Sequence, residues 1–303
     1  MTTTHEVSGT PLRFDFSEAD PLRVLPLMEA VERMPAGATG AFLFGPVQKP
    51  FGTVLVENGR VCWAGAAQLG SRLSDLLRSM LSPGADPHTL EETVRRCLRT
   101  STPLGEALVQ SGLMSAEHFR EALCTHTSEA LLVLTHQDEQ AQPTWHAHRK
   151  QRYDARFTFS PTEILSGVGA CIAPQAAAEA RRDLDRYLKS EGCGLAFAEL
   201  VDAGETERDS KTFFPVSEKR GAALTIAEMQ QLGVWGRSAL SKMPLGPGAQ
   251  PRLFTLRGAD GDSLITWRTR NLLYVVICPS SSSFAFIVGK RTRTSPDDRS
   301  GSS

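Results

Sequence analysis

Paired cysteines are the first thing this 303-residue sequence lacks. Its six cysteines, Cys62, Cys97, Cys124, Cys171, Cys193 and Cys278, are scattered and never form a C-x-x-C. That excludes a zinc knuckle or a disulfide framework and leaves small, buried apolar residues as their expected role. Long apolar runs are also missing. Nothing approaches the ~20 residues that span a bilayer, and MTTTHEVSGTPLRFD has neither a basic n-region nor an apolar h-region. The expectation is a cytoplasmic protein without membrane insertion. Net charge is missing too: 33 basic and 34 acidic residues leave −1, so no overall field draws the chain to nucleic acid.

Motifs of chemistry are equally scarce. There is no G-x-x-x-x-G-K-[ST] and no G-x-G-x-x-G after a strand, and the serine run Ser280–Ser283 lacks the G-x-S-x-G turn. No cofactor and no catalytic residue is expected. The length is past the ~250–300 residues at which single cores stop growing, which favours two domains.

What is present is a legible succession of elements. Asp20-Pro21 reads as an N-cap with Pro at N1, opening a helix through Leu25, Met28 and Val31, although Pro26 argues against an unbroken one. GTVLVENGRVCWAG (52–65) reads as a hairpin, because Asn58-Gly59 tolerates the positive φ of a type I′ turn. Counting outward pairs Glu57 with Arg60, Val56 with Val61, Leu55 with Cys62 and Val54 with Trp63, a structural hairpin with nothing nucleophilic on it. Helices are expected from Leu69, from Asp86-Pro87, from Thr102 to a stop at Gly112, and from Ser115. RFTFSP (156–161) reads as a returning strand. GVGACIAP (167–174) reads as a linker before an alanine-rich helix over 173–190. GLAFAELV and KTFFPVS follow as strands, Thr225–Met243 as a helix, and PRLFTLRG, DSLITWRTR, NLLYVVICP and SFAFIVGKR as four more strands. GADGD (258–262) is the hairpin connection. Leu272–Cys278, apolar throughout, should be a strand covered on both faces.

Few side chains invite a chemical reading. His146 and His148, with His136 upstream, could hold a metal, since H-x-H on a strand puts both imidazoles on one face. No further ligand completes the set, and a solvated loop is the better reading. His118, Cys124 and His126 share a helix without converging, and His126 reads as a satisfied core histidine. Leu90–Leu134 could form a helix-turn-helix, but its four arginines and six glutamates net −2, which repels phosphate. HRKQR and GKRTR read as solvated ends. In Thr225–Met243, Ile226, Met229, Gly233, Gly236 and Leu240 make a stripe for the domain's own sheet, while Leu232, Trp235 and Ala239 widen the apolar surface beyond it.

Two resemblances organise these elements. Gly52, Val54, Val56, Asn58, Gly59, Val61, Ala64, Gly70, Phe157 and Phe159 follow the pattern of the bacterial PATAN family, so residues 12–168 resemble a PATAN domain. LGEALVQSGLMSAEHFREAL looks like the helical insert of some members, about 87–135, and is similar to a helical module of secretion and pilus ATPases. Residues 173–292 are similar in layout to the roadblock/dynein light-chain family: helix, two strands, helix, three strands. Residues 1–11 and 293–303 are left as polar tails. The resemblances imply an α+β chain: a small antiparallel sheet with a helical insert, then a roadblock-like domain. They imply a bacterial signalling or scaffold protein without catalysis, a homodimer, with a Ras-like small GTPase or a two-component protein as partner in polarity or motility. Met229, Leu232 and Trp235 are the expected protein-binding residues. A metal-dependent hydrolase using His136, His146 and His148, or a transcriptional regulator using the insert, stand as alternatives.

Overall fold

The computed structural model describes residues 14–16, 19–137, 142–148, 153–188, 195–200, 225–241, 254–257, 263–269 and 272–278. The fold is mixed α+β, with two four-stranded antiparallel sheets in two compact units, one ending at Ile172 and the other beginning at Ala173. The two polar tails, KTFFPVS, GADGD, SFAFIVGKR, Ser280–Ser283 and Cys193 lie outside the described residues.

In the first unit Asp20 accepts a hydrogen bond from the Leu22 amide at 3.0 Å and Pro21 opens one 3-10 turn. Helix α1 (Leu25–Glu32) begins after it. Pro26 therefore sits in the first turn of a new helix, where its missing N–H has no partner to lose. Strands β1 (Thr39–Phe44), β2 (Gly52–Glu57) and β3 (Arg60–Ala66) follow, then helices α2 (Arg72–Ser79), α3 (Pro87–Thr100), α4 (Leu104–Gln110) and α5 (Ala116–Gln137). Strand β4 (Thr144–Ala147) and helix α6 (Pro161–Ile172) complete the unit, and the sheet runs β3-β2-β1-β4.

The hairpin turn is as expected, with Asn58 at φ 56° and Gly59 at φ 70°. Its register is not. Glu57 faces Arg60 and Val56 faces Val61, but Leu55 then faces Trp63 and Val54 faces Ala64. The shift makes Cys62 the extra residue of a bulge, so Trp63 shares a face with Leu55 instead of Val54 and Val56. Arg60, which faces Glu57, donates across to Thr158 and to Glu163. RFTFSP contributes a single bridge, Val61 to Phe159, and no strand. The returning strand is β4, from the TWHA segment expected as a loop. It pairs with β1, and Trp145 packs on Phe42 with ring centroids 4.9 Å apart. A cross-strand aromatic pair outweighs the polarity of the neighbours.

Within the 87–135 segment, α3 starts on Asp86, which accepts from the His88 amide at 3.0 Å, and Gly112 ends α4 at φ 70°. Helix α5 does more than decorate the unit. It packs on β3, α2, α4 and α6, and Ala130–Leu134 are all buried. GVGACI, expected in a linker, is the second half of α6, whose Ile164, Leu165 and Val168 are buried. Helix α6 opens with a capping box: the Ser160 amide donates to Glu163 at 2.7 Å and the Glu163 amide to the Ser160 hydroxyl at 3.2 Å. Glu163 also accepts from Arg60 and Arg120, tying β3, α5 and α6 together.

The second unit holds helix α7 (Pro174–Leu188), β5 (Leu195–Leu200), helix α8 (Ile226–Ser241), β6 (Phe254–Arg257), β7 (Ser263–Thr269) and β8 (Leu272–Cys278), with sheet order β5-β8-β7-β6. Helix α7 packs on β5, while α8 packs on β8 and β7. Ala180, Leu184, Ala196, Ala198, Trp267, Tyr274 and Val276 form one core cluster. Strand β8 lies inside the sheet and is buried along both its faces apart from Ile277, which is half-buried. Its unbroken apolar run had implied this.

Candidate functional site

Helix α8 divides cleanly by face. Ile226, Met229, Gly233, Gly236 and Leu240 are buried, the stripe read from the sequence. A Cβ on Gly236 would come within 3.0 Å of the Thr266 hydroxyl, so glycine sets how closely helix and sheet approach. Thr225 and Glu228 form a second capping box, which holds the Glu228 carboxyl below its ordinary pKa. Of the residues expected to meet a partner, Met229 is 0% exposed and belongs to the unit's own core. An unbranched thioether at helical spacing from Ile226 and Gly233 is drawn inward with them. Leu232 and Trp235 are half-buried, and Val234 beside them is 58% exposed. The sheet contact is filled by the five-residue stripe, and these three apolar side chains lie outside it.

His136, His146 and His148 are the histidines weighed as metal ligands in the alternative reading. His136 is exposed near the end of α5, its ring edge-to-face with Phe14 at 5.3 Å. His146 sits on β4 opposite Ala41, and the His148 amide donates to the Thr39 carbonyl. Among the described residues no three His, Cys, Asp or Glu side chains are grouped to hold a metal ion. His118 is exposed and Cys124 half-buried.

Sequence reading missed the middle turn of α5. Cys124-Thr-His-Thr-Ser-Glu129 is polar, yet His126, Thr127, Ser128 and Glu129 are all buried. Glu129 receives a two-point contact from Arg72 of α2, Nε at 2.7 Å and Nη2 at 2.5 Å. This contact is the first cause of the raised Arg72 pKa. His126 is the core histidine expected, 5% exposed, but not a satisfied one. Its Nδ1 has no hydrogen-bond partner among the described residues, and burial together with Arg72 lowers its pKa to about 4. Trp63 stacks near it, ring centroids 6.2 Å apart. Burial pushes the Cys171 thiol up to about 12, with Glu129 adding to the effect, and Cys62 also to about 12. Neither thiol supplies thiolate near neutrality, and His126, its pKa lowered to about 4, is a weak base for drawing a proton from one. The signal for this turn was a polar run inside an apolar helix. Only the packing of α2 and α6 shows that the run is enclosed.

A shallow hollow of about 140 Å³ lies between α2 and α3, lined by Ser74, Arg78, Leu90, Glu91, Val94 and Arg95. Among the described residues no helix is long and apolar enough to cross a membrane. No protein-family model matches the sequence, and no curated protein matches it.

Proposed function

We propose that the protein is a non-catalytic signalling or scaffold protein that works by binding other proteins, with the outer side of α8 as one binding surface. The observation that carries this reading is the division of α8: its buried stripe is complete without Leu232, Val234 and Trp235, three large apolar side chains set among polar residues on the rest of the helix. The resemblance to the roadblock family supports a homodimer through this helix and, as partner, a small GTPase. The PATAN resemblance supports a two-component or motility context in a bacterium. Burial raises the Cys62 and Cys171 thiols to about 12, which offers the hydrolase alternative no ready nucleophile there, and among the described residues no three His, Cys, Asp or Glu side chains are grouped to hold its metal.

The test is mass in solution. Light scattering at tens of micromolar should show an oligomer for the wild type, and Trp235→Ala should weaken association by upward of about 2 kcal/mol, the usual cost of truncating an interface anchor. Val234→Asp, at an exposed position, should do the same without unfolding the unit. A monomeric wild type, or variants that associate as the wild type does, would remove this interface.

A further inference from the structure

We draw no further inference here: the strongest candidate, the enclosed polar turn His126–Glu129 in the middle of α5, belongs to the site already described, and nothing in the structure shows a ligand for His126 Nδ1, Thr127 Oγ1 and Ser128 Oγ, which sit on consecutive residues that the helix turns to different sides.

Discussion

Each unit buries one carboxylate of a Glu–Arg pair, and the two pairs are built differently. In the first unit Glu129 of α5 meets an Arg72 side chain that is 40% exposed. In the second, Glu199 of β5 is 1% exposed and meets Arg237 of α8, 16% exposed. Desolvation lowers the pKa of Arg237, whereas the contact with Glu129 is the first cause raising that of Arg72. Water still reaches one end of the first pair and hardly any of the second. The same chemistry therefore serves two ends: an anchor for α2 at a surface, and a clasp holding α8 over its sheet. The clasp depends on both partners, because a buried charge that loses its counterion costs more than the pair ever contributed.

The widest separation of the two should come from removing each arginine. Arg237→Met should lower stability by about 3–5 kcal/mol, because Glu199 is left without its guanidinium in a dry site. Arg72→Met should cost about 1.5–3 kcal/mol, since water can enter where Arg72 lay half-exposed. Chemical denaturation of the full chain followed by circular dichroism reads both. Equal losses would show that exposure does not distinguish the two pairs.

A pH series on the first unit sharpens the contrast further. His126 titrates at about 4 when folded against an ordinary 6.5. Its folded pKa is depressed, so the folded state resists the proton that the unfolded chain accepts. Stability is whole above pH 6.5, falls as pH drops from 6.5 toward 4, and has no further contribution from this group below that. At 1.36 kcal/mol per pKa unit the loss is about 3 kcal/mol. His126→Gln should flatten the urea midpoint over this window, and a slope unchanged by the substitution would place the titration elsewhere.

The smallest effects should come from the glycines beneath the covering helices. A Cβ on Gly52 would overlap the buried side chain of Leu134 in α5, so Gly52→Ala should cost about 1–3 kcal/mol by overpacking. Gly236→Ala should be close to neutral. Its Cβ meets Thr266 at 3.0 Å and Leu273 at 3.5 Å, a mild crowding that the better helix propensity of alanine, about 1 kcal/mol, offsets. Thermal midpoints that reverse this order would mean that α8 sits more tightly on its sheet than α5 does.

Much of the architecture was legible from local chemistry. Asp86-Pro87, Ser115 and Asn58-Gly59 act through hydrogen bonds and φ preferences within a few residues of themselves, and each performs as read. The α8 stripe was legible because helical spacing is fixed by the backbone. The misreadings of strand pairing turn on which residues the sheet brings together. TWHA becomes a strand only because β1 has an edge to pair with, and Cys62 becomes a bulge because Leu55 pairs with Trp63 instead. The candidate sites divide the same way. Spacing already placed Met229 in the stripe under the helix, at odds with its choice as a protein-binding residue, and placed His126 in the core, whereas the enclosure of Thr127, Ser128 and Glu129 needed the packing of other helices.

By itself the sequence determined the α+β class, most helix starts and stops, and the two-sided burial of β8, since composition, capping and periodicity act at short range. Only the tertiary structure decided where the charges went. Arg60 reaches Thr158 and Glu163, Arg72 reaches Glu129, and Arg120 reaches Glu163. Long cationic side chains choose among whatever carboxylates packing brings within a few ångströms. That choice is set by how helices and strands lie on one another, which no window of neighbouring residues contains.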